Sequence, residues 1–300
     1  MGGFALLLLL GLALFWLSTV VYVAWGLTHP PRRTYASAVR RGLAGDPSEL
    51  DEPRAFETWR VLLADGKKEA EVWSVQGDTP EGPTVVLSHG WGDSRIGGLV
   101  RLPAIATWAR RVVLFEYPGH GTTGGACRLG TREVRDLAAV IDRVRESEDA
   151  GAVVVYGWSM GAGVAVAAAT ATGDIAGVVA EAPYGLAWTP ARNVMRMAGL
   201  PWRLNLRPAL WWLGLWFGVG PGWRGFDRVA LAGGVSAPVL AVHGVDDAIC
   251  PVADGQAIAE AAPRGTFAGI EGGGHNDLWT DERLRAHVVA AVDAWMHTVR

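Results

Sequence analysis

Only two cysteines, Cys127 and Cys250, occur in 300 residues. Two thiols cannot supply a disulfide framework, and in a chain this long a single bridge between them is not needed. No C-x-x-C, H-x-x-x-H or acidic cluster at ligand spacing is present, so no metal site is expected. Charge is sparse as well. Asp, Glu, Lys and Arg make up 19% of the residues, the net charge is −3, and no basic stripe exists to follow a nucleic acid. Gly124-Gly125 lacks the lysine and spacing of a phosphate-binding loop, and no G-x-G-x-x-G follows a strand. The chain therefore calls for no nucleotide and no other cofactor.

What is abundant is apolar. Half of the residues are hydrophobic, which is enough for one sizeable core, and apolar runs alternate between strand and helix character as in a single α/β domain. Phe4 to Leu27 holds no charged residue, and as a helix it would exceed the roughly 30 Å hydrocarbon core of a bilayer. A cleaved secretory signal would have a basic start and a shorter apolar core, whereas this chain begins Met1-Gly2-Gly3. The expected division is a transmembrane anchor over 4–27, a linker over 28–54 and a globular domain over 55–300. Arg32, Arg33, Arg40 and Arg41 follow the apolar segment before the first acid at Asp46, and no base precedes it. That asymmetry predicts a single-pass protein of the cell membrane with its domain on the cytoplasmic side, the basic half of the linker able to lie on anionic headgroups.

The stretch that carries chemistry is Gly157-Trp158-Ser159-Met160-Gly161. It follows the apolar run Ala152 to Tyr156 and leads into the small-residue segment Ala162 to Ala171. A buried strand, a G-x-S-x-G turn and a tightly packed helix make a nucleophile elbow, with Ser159 held out at the strand tip. A serine needs a base, and the base needs an orienting acid. Pro238 to Gly244 reads as a strand followed by Asp246-Asp247, either of which could reach a histidine on the next loop. Thr266 to Ile270 reads as a short strand followed by Glu271-Gly272-Gly273-Gly274-His275-Asn276-Asp277.

With these residues the chain resembles an α/β-hydrolase-fold serine hydrolase of esterase or lipase type. His89-Gly90-Trp91-Gly92 after Thr84 to Ser88 is similar to that family's H-G-x motif, and Tyr117-Pro118-Gly119-His120-Gly121 to its next strand-end turn. His243-Gly244-Val245-Asp246-Asp247 resembles H-G-x-x-D, and Gly274-His275-Asn276-Asp277 resembles the G-H-N-D of membrane-anchored α/β-hydrolase-domain proteins. The resemblance implies an α/β fold with a mostly parallel sheet of about eight strands, helices on both faces and a helical cap. It also implies Ser159 as nucleophile, His275 as base and then acid, Asp247 rather than Asp246 as orienting acid, and an oxyanion hole from the backbone N–H groups of Met160 and Trp91. His89, His120 and His243 read as hydrogen-bonded structural residues.

The cap is expected over about 186–234, carrying Trp188, Trp202, Trp211, Trp212, Trp216 and Trp223 of the chain's 15 tryptophans. Pro208 suits the first turn of a helix there, and Leu204, Trp211, Leu215 and Val219 recur at helical spacing. The aromatics are either ordinary packing of the cap on the core or a lid that covers an apolar acyl pocket and dips into a membrane interface. Trp91, Trp158, Trp211 and Trp212 are the expected substrate contacts. The expected reaction is hydrolysis of an ester or thioester of a small or lipid-like acyl substrate through an acyl-enzyme. The alternatives are a peptidase or amidase with the same triad, and a non-catalytic receptor or scaffold that keeps the fold.

Overall fold

A computed structural model describes residues 2–147 and 150–299. Its strands are β1 (Phe56–Leu62), β2 (Glu69–Gln76), β3 (Thr84–Ser88), β4 (Arg111–Leu114), β5 (Val153–Trp158), β6 (Gly177–Glu181), β7 (Val239–Gly244) and β8 (Gly265–Ile270). They form one sheet in the order β1-β2-β4-β3-β5-β6-β7-β8. β2 pairs antiparallel with both β1 and β4, and every other pairing is parallel. The uninterrupted apolar runs explain this arrangement, because β3, β5, β6 and β7 are buried along their whole length and need cover on both faces.

That cover comes from helices in two layers. The helices are α1 (Gly2–Thr28), α2 (Tyr35–Val39), α3 (Leu102–Ala106), α4 (Glu133–Arg145), α5 (Met160–Thr172), α6 (Trp188–Met197), α7 (Leu206–Trp216), α8 (Arg228–Ala232), α9 (Val252–Ala261) and α10 (Glu282–Met296). One apolar cluster joins α4, α5, α7 and Ile258 of α9 to one sheet face, and a second joins α3 and α10 to the other. The chain runs from β3 outward to β4 on one side and then to β5 on the other. A crevice at the carboxyl ends of β3 and β5 is where such sheets place a ligand.

α1 is long and apolar enough to cross a membrane, with a mean hydropathy of 2.5 in its most apolar window. It is not separate from the domain throughout its length. Residues 3–18 are exposed, but Val20 and Ala24 are buried in the larger core cluster, and the Thr19 hydroxyl lies 3.2 Å from Asn205 Oδ1 beside α7. Residues 28–54 also lie against the domain, with Ala38 and Pro47 buried and Arg54 paired with Asp78 at 2.8 Å.

In the cap the expected helix forms, but its faces differ from the simplest reading of the periodicity. Leu206, Ala209, Leu210 and Leu213 are the buried face of α7. The stripe picked out by spacing is largely the outer one: Leu204 is 74%, Trp211 54% and Leu215 48% exposed. A helix that is apolar nearly all round gives periodicity no contrast with which to choose its inner face.

A buried ion pair lies at the end of β6. Glu181, at the end of β6, accepts from Arg101 Nε at 3.0 Å and Nη2 at 2.5 Å, from the Tyr156 hydroxyl at 2.6 Å and from Trp279 Nε1 at 2.7 Å. Burial alone would raise its pKa, yet the Arg101 charge and the other donors hold it below the usual carboxylate range. Replacing Glu181 by Gln leaves the buried guanidinium uncompensated, so urea unfolding should show a loss of about 3–5 kcal/mol. A loss below about 1 kcal/mol would mean that the pair does not hold the strand ends together.

Candidate active site

Ser159 sits at the tip of β5 with φ 54° and ψ −117°, a positive-φ conformation that a residue with a side chain rarely adopts. The glycines around it make that turn feasible. A Cβ on Gly161 would run into the Ser88 carbonyl oxygen of β3, and one on Gly157 into the Gly161 carbonyl oxygen. The Ser159 N–H donates to the Glu181 carbonyl at 2.8 Å, which ties the turn to the neighbouring strand. α5 then leaves the elbow with all of its residues from Met160 to Ala169 buried.

The loops after β7 and β8 bring two further side chains to this serine. His275 Nε2 lies 3.1 Å from Ser159 Oγ, and His275 Nδ1 lies 2.7 Å from Asp247 Oδ2. Of the adjacent acids it is Asp247 that faces the imidazole, while Asp246 is exposed and uses its backbone N–H on Gly273. Asp247 is itself held: Oδ1 accepts the Ile249 and Cys250 N–H groups, both at 2.8 Å, and His243 Nε2 lies 3.3 Å from Oδ2. Burial would raise its pKa, but hydrogen bonds from His243 and His275 keep it ionised far below the usual range. An ionised Asp247 fixes Nδ1 of His275 as the donor, and Nε2 is then free to accept the serine proton.

Two main-chain donors flank the serine. The Met160 N–H opens α5 and has no partner inside its own helix. The Trp91 N–H belongs to the loop after β3, and none of the described hydrogen bonds uses it. That loop is close: a Cβ on Gly90 would sit 3.2 Å from Ser159 Cβ and 3.3 Å from the Trp158 carbonyl oxygen. His89 braces the loop from below. Its Nδ1 bonds the Gly90 carbonyl at 2.8 Å, and its Nε2 accepts the Tyr117 N–H at 3.0 Å. Burial lowers its pKa to about 4, as a ring that must accept from an amide requires. His120, bonded to the Pro118 carbonyl, is lowered to about 3 for the same reason. His243 donates to the Cys250 carbonyl at 3.0 Å, so all three histidines take structural bonds.

The expected substrate contacts do not all converge here. The Trp158 indole turns down into the core, donating to Asp93 Oδ2 at 3.0 Å beneath the Arg101 guanidinium, because the alternation along β5 directs it away from the serine. Trp211 and Trp212 stand exposed on the outer face of α7, and Trp212 stacks on Trp216. Trp91 alone of the four belongs to a loop at Ser159. Asp93, Arg101 and Glu181 are not among the expected site residues, and Asp277 entered only as the last residue of a family-like motif. Asp277 accepts the Gly274 N–H at 2.8 Å and so shapes the loop that presents His275. A charged residue closing an apolar strand is the one available signal for Glu181.

Among the described residues, Asp247, Cys250 and His275 could offer metal ligands, their donor atoms lying within 4.8 Å of one another. Both oxygens of Asp247 are already hydrogen-bonded, and burial pushes the Cys250 thiol well above its usual pKa. A neutral buried thiol and a saturated carboxylate suit this hydrogen-bonded arrangement better than coordination.

No curated protein matches the sequence. Solved structures do match the fold. An esterase of Pyrococcus furiosus superposes with a TM-score of 0.66 at 21% identity, covering 89% of this chain and 99% of that one. An esterase of a Rhodococcus species gives 0.61 at 21% identity, covering 81% and 99%, and a thermophilic esterase of Thermogutta terrifontis gives 0.56 at 19%, covering 81% and 99%. At these identities the likeness is one of fold. The model of the alpha/beta hydrolase family matches residues 85–292, a span that contains β3, the Ser159 elbow, Asp247 and His275. The chain belongs to the alpha/beta hydrolase family of enzymes.

Proposed function

We propose that the protein is a serine hydrolase that cleaves an ester or thioester of an apolar acyl group through an acyl-enzyme. The observation that carries this reading is the relay Ser159–His275–Asp247, with spacings of 3.1 and 2.7 Å. Ser159 Oγ attacks the acyl carbonyl as its proton passes to His275 Nε2, and Asp247 balances the imidazolium. The oxyanion forms beside the Met160 and Trp91 amides, donors worth about 3 kcal/mol each in comparable sites. The imidazolium then protonates the leaving group. Water, deprotonated by the same nitrogen, releases the acid and restores the serine.

The reading also takes 4–27 as a retained anchor, 28–54 as the linker and 55–300 as the hydrolase domain, on the cytoplasmic side of the cell membrane. Two observations support retention and contact with lipid. Val20 and Ala24 contribute to the core at 6% and 1% exposure, a role that cleavage would remove. Residues 3–15, the part of α1 before its first hydrogen bond to the cap at Trp16, reach about 20 Å as a helix, short of a hydrocarbon core of roughly 30 Å. Spanning therefore draws the adjoining face of α7 into the interface, and that face presents Trp211, Trp212, Leu215 and Trp216. The exposed Arg196, Arg203, Arg207 and Arg224 of the cap suit anionic headgroups.

Two measurements test these points. A fluorophosphonate probe should label the wild-type protein, whereas Ser159→Ala should fold, fail to label and lose about 10⁴- to 10⁶-fold in kcat. A folded wild-type protein that does not label would sink the hydrolytic reading. Anionic vesicles should raise turnover of long-chain esters several-fold but leave a short soluble ester unaffected, and a Trp211→Ser, Trp216→Ser double variant should lose that gain. Equal long-chain turnover with and without vesicles counts against interfacial contact.

A further inference from the structure

We infer that the end of the anchor helix is part of the reaction machinery: the Leu27 carbonyl and the Arg33 guanidinium are positioning groups for the two segments that flank Ser159. This inference rests on the proposed serine hydrolase reading and deepens it. The Trp91 indole N–H donates to the Leu27 carbonyl at 2.8 Å, across 64 residues of chain. Leu27 lies in the last turn of α1, where carbonyls have no partner within the helix and carry the negative end of its dipole. The next carbonyl, Thr28, accepts the Cys127 N–H at 2.8 Å, so the helix end is pinned to the domain on both sides of the peptide.

Six residues after Leu27 a second contact is made. Arg33 Nη1 lies 3.1 Å from Asp93 Oδ1, and the other oxygen of Asp93 accepts the Trp158 indole N–H at 3.0 Å. Asp93 is enclosed, since its side chain is 12% exposed and a Cβ on Gly97 would run into its carboxylate. Pro31 approaches the same loop, its Cδ 3.8 Å from where a Cβ on Gly92 would stand. Residues 27–33 therefore touch the Trp91–Asp93 loop at three places. Trp91 supplies one proposed oxyanion donor, and Trp158 immediately precedes the nucleophile.

The physical reason to assign these contacts to catalysis is that a main-chain donor acts only if it is already aimed. Misplacement by about 1 Å can cost about 100-fold in rate. The Trp91 peptide lies in a loop whose Gly92 adopts φ 71°. His89 and the Asp93 N–H hold the Gly90 carbonyl of that peptide from inside the domain, and the segment that leaves α1 adds a hold on the indole and one on an Asp93 oxygen. Trp91 thus has two roles through different atoms, the amide toward the oxyanion and the indole toward Leu27.

The test uses full-length protein in detergent micelles with a short soluble ester, so that membrane targeting does not enter. Trp91→Phe keeps the ring and removes the N–H, and Arg33→Gln removes the charge. Each should lower kcat and the rate of fluorophosphonate labelling about ten-fold with KM unchanged, and Arg33→Lys should recover part of the loss. Arg54→Gln, which breaks the linker's ion pair with Asp78 away from the site, should behave as wild type. Unchanged kcat in both Trp91→Phe and Arg33→Gln, with an active wild type, overturns this inference alone. An equal loss in Arg54→Gln shows general loosening and overturns it as well. A folded wild type that neither turns over ester nor labels overturns the hydrolase reading and this inference together.

Discussion

The close approach of α5 to β3 at Gly161 is the constraint on which the site depends. A helix that begins immediately under a strand tip forces the connecting residue into positive φ, and that residue is Ser159. The conformation is unfavourable by itself. It persists because the serine amide is bonded to Glu181, the first ten residues of α5 are buried, and no side chain intrudes at 157 or 161. The same approach leaves the Met160 N–H, at the helix start beside the serine, without a partner among the described hydrogen bonds. The positive φ of Ser159 and an amide donor beside it are thus two consequences of one packing contact.

Around that contact, polar groups are buried only where they are bonded or neutral. Glu181 accepts four hydrogen bonds, Asp247 is ionised between two histidines and two amides, and His89 and His120 are kept uncharged by burial. Opposite charge and several donors offset the cost of burying the Glu181 carboxylate, whereas fully buried Arg228 rests on the Gly185 and Leu129 carbonyls and burial lowers its pKa. His275, at 10% side-chain exposure, stands at the edge of this interior, where a substrate could reach it.

Much of this was legible in the sequence for a specific reason. Strand tips followed by G-x-S-x-G, H-G-x-x-D and a glycine-rich loop with a histidine are local patterns, and the sheet brings strand ends together whatever lies between them. The parallel sheet, the spacing of Ser159, Asp247 and His275 and the choice of Asp247 over Asp246 follow from such patterns. Contacts between distant segments had no local signature. Nothing in Trp158 or Arg101 announces that the indole would lie under the guanidinium, and nothing in Trp91 announces a bond to Leu27. The outer and inner faces of α7 were likewise hidden, since both are apolar.

The contact between Trp91 and Leu27 also fixes where α1 lies relative to Ser159. Trp91 follows β3 and Ser159 follows β5, so both stand at the carboxyl edge of the sheet. α1 reaches the domain at that same edge, and its preceding turns run beside α7, with Trp16 donating to Leu204 at 3.3 Å and Thr19 close to Asn205. On the proposed membrane placement, the exposed aromatic face of the cap and the carboxyl edge of the sheet are therefore neighbours rather than opposite poles. A soluble hydrolase with a flexible tether would have no such constraint. The last carbonyls of α1 hold the loop beside Ser159 and the Cys127 amide, so any displacement of this helix is felt at the elbow.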